Sequence, residues 1–360
     1  MKRPRYIDQF TAGFASGDAI SSEALILQDF IRRLGYESHI YSQHFQESDG
    51  DLVRHFRSYH RSRQAVLIYH HSFYSDFLDD IGRYPARKLL IHHNTTPAEF
   101  VERYNRSIAT QLSLTRTRLR SLAHHFEIAL ADSAFNAQDL KEMGFADARV
   151  MPVALDFDSW AAEPLAEHLR FLDDGRKNIL FVGRVFPNKK HQDLIKAFYY
   201  LKQIEPDSRL ILVGTFHPGV RGYTAELFNL TRELGLEDDV LFTGMVSQQE
   251  IQTYYRKADL FLSMSEHEGF FVPLVECMYF NVPIVAYAAA VIPETLGEAG
   301  ILFHEKDYPR LAELLARVLH DAALRSALLN GQRKRLAAFE LSRTYSSFSA
   351  ALKQMGIIHP

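Results

Sequence analysis

The sequence has a single cysteine, Cys277, one tryptophan and no long apolar run. One cysteine excludes an intramolecular disulfide and fits a reducing compartment. No stretch approaches the roughly 20 apolar residues of a membrane span. The opening "MKRPRYIDQFTAGFASGD" lacks the apolar core of a signal peptide. A cytoplasmic protein is therefore expected. With 41 Lys and Arg against 44 Asp and Glu, the formal charge is −3, and no excess of positive charge argues for nucleic acid. What the sequence does have is 360 residues, 47% of them hydrophobic, enough for about two domains with their own cores.

Short apolar runs alternate with helical patterns. "AVLIYHH" (65–71), "RKLLIHHN" (87–94), "EIALADS" (127–133) and "ARVMPV" (148–153) read as buried strands. Ala19 to Leu34 reads as a helix stopped by Gly35, and another runs between Ser133 as N-cap and Gly144 as stop. The alternation pauses over about 156–176. It then resumes with "NILFVG" (178–183), "RLILVG" (209–214), "DVLFTG" (239–244), "DLFLSM" (259–264) and "VPIVAYA" (282–288). Ser247 and Glu250 form an S-x-x-E capping box before the fourth of these. Strands alternating with helices imply parallel, doubly wound sheets. The expected organisation is an α/β chain of two Rossmann-like domains facing a central cleft. Residues 1–160 form the first domain, 161–177 the linker and 178–340 the second domain. Residues 341–360 form a helical tail packing back toward the first.

Two segments of the second half carry chemistry. In "ILFVGRVFPNKKHQDLIKAFYYL" (179–201) an apolar strand ends at Gly183, and Arg184 and Lys189 stand in the loop before a helix beginning near His191. Two cations at a strand's C-terminal end can clamp a diphosphate, Arg as a planar fork and Lys as a point charge. In "SEHEGFFVPLVECMYFNVPIVAYA" (265–288) Glu268 lies in a turn and Glu276 follows with seven residues between. Pro273 suits a first helical position, which places Glu276 in the first turn. There an acid also simply complements the helix dipole. The N–H groups of such a helix start attract anions.

Together with "IPETLGEAGILF", these segments resemble the retaining GT-B glycosyltransferases. More narrowly, they resemble the large group 1 family with its sucrose synthase-like, mannosyl- and glucosyltransferases. The resemblance covers nearly the whole chain and is strongest from 178 to 304. It implies that Glu268 lies by the donor sugar and Glu276 at the ribose. Arg184 and Lys189, after Gly183, would hold the diphosphate. Gly269, Phe270, Phe271 and Val272 would offer backbone N–H groups to sugar and phosphate. Two positions depart from the family. Phe271 stands where a small residue, often Gly, is usual, and Lys190 where Gly often follows the lysine; both narrow the donor pocket or re-aim the loop.

In the first half "TAGFASGDAISSEALILQDF" resembles the family's Gly-rich loop and helix. Gly13 and Gly17 permit close backbone approach, and Asp18 either caps the helix or meets an acceptor hydroxyl. The spacing is not G-x-G-x-x-G, against a nicotinamide cofactor. "LLIHHNTTP" holds His92 and His93 at a strand end, and alternation aims only one of them at the cleft. The resemblance implies a histidine here that reaches the donor sugar, assigned to His93. His70, of the pair His70–His71, is placed on the acceptor side. No Cys or HExxH spacing supports a metal. "DFD" (156–158) and "DGD" (49–51) are set aside as metal–nucleotide motifs, the latter as a polar loop with no strand before it. Arg103, Arg106, Arg116, Arg118 and Arg120 read as a solvated helix face, or as a patch for peripheral membrane contact.

The expected protein is a metal-independent, cofactor-free retaining hexosyltransferase. Its partners are a nucleotide sugar donor and a glycan or lipid-linked acceptor, at the inner membrane face if peripheral. "ASGDAIS" with "HHNTTP" is reminiscent of bacterial surface-polysaccharide enzymes using GDP-mannose or related sugars. The alternatives are a nucleotide-sugar 2-epimerase on the same fold and a non-catalytic carbohydrate-binding protein.

Overall fold

The computed structural model describes residues 5–59, 64–161 and 167–358, so part of the expected linker, residues 162–166, lies outside the described residues. The chain divides into two units. The first comprises Met1–Pro97, Thr110–Asp156 and Phe339–Pro360; the second comprises Ala98–Ala109 and Phe157–Ala338. The boundaries differ from the expected ones in two places: Ala98–Ala109 groups with the second unit, and so does the segment from Phe157, which carries a 3-10 helix over Glu167–Asp173.

The first unit is built on a seven-stranded parallel sheet. Its strands are β1 (Tyr6–Gly13), β2 (Ile40–His44), β3 (Val53–His55), β4 (Ala65–His71), β5 (Arg87–His92), β6 (Ile128–Ala131) and β7 (Ala148–Val150), in the order β3-β2-β1-β4-β5-β6-β7. β4 is buried along its whole length, which is why its sequence is a continuous apolar run. β1, β2 and β3 were not among the expected strands. β1 carries Asp8, Gln9 and Thr11, all buried, and these polar residues hide the strand. Asp8 accepts from the His39 backbone N–H at 3.1 Å, and Gln9 donates to the Ala24 carbonyl at 2.8 Å. The "DGD" stretch does follow a strand, β2; Asp49 ends a short 3-10 helix and accepts from the Ser16 hydroxyl at 2.6 Å.

Helix Leu341–Gln354 lays Phe348, Ala351 and Leu352 into a core with Ile7, Leu27, Ile31, Val66 and Ile68 of the first unit. Tyr36 Oη donates to the Ile357 carbonyl at 2.6 Å.

The second unit has six parallel strands: β8 (Lys177–Val182), β9 (Ser208–Val213), β10 (Val240–Gly244), β11 (Leu260–Ser263), β12 (Ile284–Tyr287) and β13 (Ile301–Phe303), in the order β10-β9-β8-β11-β12-β13. The strand order reverses between β8 and β11. Doubly wound sheets bind ligands outside the carboxyl ends of the strands at such a point. The loops that follow these two strands carry Arg184, Lys189 and Glu268. Among the described residues, no helix is long and apolar enough to cross a membrane.

Candidate active site

The loop after β8 and the turn after β11 are fastened residue by residue. Glu266 N donates to the Asn188 carbonyl at 2.9 Å, and Asn188 Nδ2 donates back to the His267 carbonyl at 2.7 Å. Lys189 Nζ donates to Glu268 Oε2. Lys190 Nζ pairs with Glu266 at 2.9 Å, and Lys306 Nζ joins Glu266 to Asp193, each at 2.6 Å. The two loops thus form one braced surface. Hydrogen bonds to charged groups contribute roughly 1.5–3 kcal/mol each where shielded from water, and most of these carriers are at least half buried.

Glu268 is 5% exposed, and its second oxygen, Oε1, is buried without a hydrogen-bond partner among the described residues. Lys189 also lies 5.2 Å from the centroid of the Phe271 ring. Arg184 is the opposite case. It is exposed, and its guanidinium makes no hydrogen bond or ion pair among the described residues. One cation of the expected clamp is held within the site and the other stands ready in solvent. His191, at the start of the helix His191–Ile204, is kept neutral: burial first, then the Lys189 charge, lower its pKa to about 3.

Both departures from the family fall on left-handed backbone. Lys190 has φ +53° and Phe271 φ +70°. An L-residue there costs roughly 1–2 kcal/mol, which glycine avoids. The larger residues here adopt a conformation that a glycine takes freely. Each has a use for its side chain. Lys190 holds Glu266, and the Phe271 ring is buried beside Phe181 and Phe261 with centroids 6.3 and 6.0 Å away.

The helix that follows the turn spans Val272–Phe280. Pro273 is its second residue, not its first, and Glu276 its fifth. Glu276 thus lies in the second turn, because the helix starts at Val272, one residue earlier than expected, with Phe271 as its left-handed N-cap. A half-buried Glu276 accepts from Tyr255 Oη at 2.6 Å. Burial, opposed by that bond, pushes its carboxyl up to about 7. Phe270 is anchored by Thr295 Oγ1, which donates to its carbonyl at 2.8 Å, while Gly269 lies half-buried in the turn.

Gly183 is positioned by its neighbour in space. A Cβ on Gly214, after β9, would lie 2.2 Å from the Gly183 carbonyl oxygen. Gly214→Ala should therefore force the ends of β8 and β9 apart and cost about 2–3 kcal/mol, the upper range for overpacking. Urea unfolding measures it; an unchanged midpoint would show that these strand ends separate freely.

In the first unit the structure corrects the placing of His70 and selects the capping alternative for Asp18. His70 is fully buried, with its ring between Gln9 and His93, so it presents nothing to an acceptor. Asp18 is the N-cap of the helix Ala19–Arg33, accepting from Ile20 N and Ser21 N at 2.9 Å each. Gly17 precedes it at φ +92°, whereas Gly13 has room for a side chain. His92 and His93 do face opposite ways. His92 meets His71, Nδ1 to Nδ1 at 3.0 Å, and His93 meets His70 and Asp132, each at 3.0 Å. The His93 side chain is only 5% exposed. Glu23 completes this cluster, with Oε2 3.6 Å from His93 Nε2 and Oε1 accepting from Ala154 N at 2.9 Å. The arginine stretch is partly neutralised: Arg103 pairs with Glu226 at 2.7 Å, Arg116 with Asp139 and Arg118 with Asp79 at 3.2 Å.

Sequence reasoning missed Glu23, Asp132, Tyr255, Glu266 and Lys306. Glu23 had a signal: it sits on the buried face of its helix, one residue before Ala24 and four before Leu27. An acid among core positions requires a partner. The pairings of Glu266 and Lys306, 40 residues apart, carry no local sequence signal.

Two Rossmann-like units with parallel sheets make up the GT-B fold. Solved structures agree over almost the full chain. Anabaena Alr3699/HepE in complex with UDP and glucose superimposes with a TM-score of 0.78 at 17% identity, covering 97% of this chain and 100% of that one. Sucrose-phosphate synthase from Thermosynechococcus elongatus does so at 0.75 and 17%, covering 98% and 99%. The sequence profile described as glycosyl transferases group 1 matches residues 169–335. That match lies within the second unit, so it is this part of the chain that is similar to the family. Among curated relatives, a D-inositol 3-phosphate glycosyltransferase from Salinispora arenicola is 30% identical over 214 residues, 58% of this chain and 47% of that protein. A mannosylfructose-phosphate synthase from Agrobacterium fabrum is 37% identical over 112 residues, 30% of this chain and 25% of its own length. The chain spans about half the length of the first such relatives it matches.

Proposed function

We propose that the chain is a retaining hexosyltransferase that moves a hexose from a nucleoside diphosphate sugar to a hydroxyl of a glycan or lipid-linked acceptor, without a metal. One observation carries this reading: the braced Lys189–Glu268 pair, whose second carboxylate oxygen has no hydrogen-bond partner among the described residues, lies in the loops at the strand-order reversal, where an α/β sheet binds its ligand. Lys189 and Arg184 take the diphosphate. The Glu268 carboxylate takes sugar hydroxyls. Glu276 takes the ribose. In a front-face displacement the acceptor hydroxyl attacks the anomeric carbon on the side the diphosphate leaves, and the departing phosphate oxygen receives the acceptor proton. The cations stabilise the charge that develops on that oxygen, the role for which preorganised charge is most effective.

The names of relatives support a hydroxyl acceptor of varied kind, since they include an inositol phosphate transferase, a mannosylfructose-phosphate synthase and an alpha-monoglucosyldiacylglycerol synthase. Mannose is the hexose favoured, in bacterial surface-polysaccharide synthesis. A thermal-shift screen of nucleotide sugars, GDP-mannose and UDP-glucose included, finds the donor, because a ligand of the folded state raises its apparent stability. NMR of the product then reports the anomeric configuration, which should match the donor's. Transfer should survive EDTA. Complete loss with EDTA, restored by Mn²⁺ or Mg²⁺, would refute the metal-free mechanism. Donor consumption with no acceptor would favour the epimerase, and binding without turnover the non-catalytic protein.

A further inference from the structure

The hydrogen bonds around His93 fix the direction of each proton in a chain that crosses four neighbouring strands of the first sheet. It begins at Gln9 on β1, whose Nε2 donates to the Ala24 carbonyl at 2.8 Å. The Gln9 Oε1 therefore faces His70 Nε2, 2.9 Å away; the reversed amide would set two oxygens against each other. His70 Nε2 must carry the hydrogen. A neutral imidazole has only one N–H, so His70 Nδ1 is an acceptor. It faces His93 Nε2 at 3.0 Å, which must donate. On its other side His93 Nδ1 lies 3.0 Å from Asp132 Oδ2. Against a carboxylate, that nitrogen must donate too. Both ring nitrogens of His93 then carry hydrogen.

Three other assignments fail on the same geometry. Placing the proton on Asp132 runs against the roughly 2–3 pKa units by which a carboxylic acid is the stronger acid. Placing it on His70 leaves the charge beside a neutral amide, whereas His93 has Asp132 at 3.0 Å and Glu23 at 3.6 Å. A metal is the third. Glu23, His70 and His93 do bring ligand atoms within 4.8 Å of one another. Yet the two rings are 3° from parallel, with centroids 5.3 Å apart and nitrogens 3.0 Å apart. Those distances set the two nitrogens head to head on one line, a gap that holds a proton. A zinc ion there would need about 4 Å, two bonds of roughly 2.0 Å.

We infer that Asp132 and His70 are positioning residues that hold His93 as a permanently charged imidazolium, a fixed buried cation that neither gives nor takes a proton in the neutral range. The charged and titratable groups facing it are Glu23 and Asp18 from the first helix, His70 and His71 on β4, His92 on β5 and Asp132 beyond β6. Burial by itself pulls the ring down, but Asp132 by charge and hydrogen bond, then Glu23 and Asp18, raise it to about 9. The charge joins the first helix to the ends of β5 and β6. It also withdraws His93 from service as a general base. The inference concerns the charge of the free protein, so it stands or falls apart from the proposed transfer reaction.

Two-bond ¹H–¹⁵N correlation spectra of the full chain, with ¹⁵N-labelled histidine, read the charge directly. Wild-type protein at pH 8 should show one ring with both nitrogens protonated, where an ordinary histidine is only about 3% charged. That ring should titrate near pH 9, and Asp132→Asn should lower its midpoint by at least two units. The signal is assigned by its loss in His93→Gln, or from backbone connectivities should that variant not fold. No doubly protonated ring at pH 8, or a midpoint unmoved in Asp132→Asn, overturns the inference. So does collapse of the signal on adding Zn²⁺, which would make the cluster a metal site. Should Asp132→Asn not fold, the wild-type titration decides alone.

Discussion

Arg184→Ala should lower turnover about a hundredfold or more and leave the melting temperature unchanged. The guanidinium is exposed and has no partner among the described residues, so its removal disturbs nothing in the resting fold. Surface substitutions of that kind stay within about 0.5 kcal/mol. In the proposed transfer its value arises only when a diphosphate develops charge, and loss of one transition-state charge partner costs roughly 10²–10³ in rate. Lys189→Ala makes the informative contrast. It should lose turnover to a similar degree and also destabilise the fold by about 3–5 kcal/mol, because Glu268 is left buried and unpaired. Steady-state kinetics with a thermal melt of each variant decides the matter. Near wild-type turnover in both would reject the diphosphate clamp.

The two glutamates should separate into different parts of the donor. Glu276→Gln should weaken binding of a bare nucleoside diphosphate about ten- to a hundredfold, the cost of a lost hydrogen bond to a charged group. Glu268→Gln should keep that affinity or raise it, since the substitution releases the Lys189 ammonium from its internal partner. Its damage should fall on transfer. A pH effect follows from Glu276, whose carboxyl titrates at about 7. The carboxylate is the better acceptor for ribose hydroxyls, so nucleotide affinity should weaken as the pH falls through 7. Glu276→Gln should abolish that dependence. Calorimetric titrations of both variants at several pH values measure all of this. Loss of nucleotide affinity in Glu268→Gln with its retention in Glu276→Gln would reverse the assignment.

The second sheet was largely legible because β8, β9 and β11 are buried on both faces and read as apolar runs. β1 was illegible for the opposite reason. Asp8, Gln9 and Thr11 are tolerated in a central strand only because His39, Ala24 and His70 satisfy two of them from elsewhere in the fold. β13 has just three residues and lacked length. At the candidate site, the sequence placed Arg184, Lys189 and Glu268 in loops that follow strands and misjudged the helix start by one residue, because a left-handed phenylalanine carries no signature. That Lys189 neutralises Glu268 could not be read from residues 79 apart.

The helix Leu341–Gln354 bears on the order in which this protein can be made. It supplies Phe348, Ala351 and Leu352 to the core beneath β1 and β4, yet it leaves the ribosome after the whole of the second unit. Nascent domains usually fold in the order of synthesis. Here the unit begun first is completed last. Its half-made core must wait, with Ile7, Leu27 and Ile31 exposed to water and to other chains, until some 180 further residues have emerged past Asp156. Recovery of soluble protein should thus depend on what shelters that surface in the interval, as much as on how stable the finished fold is.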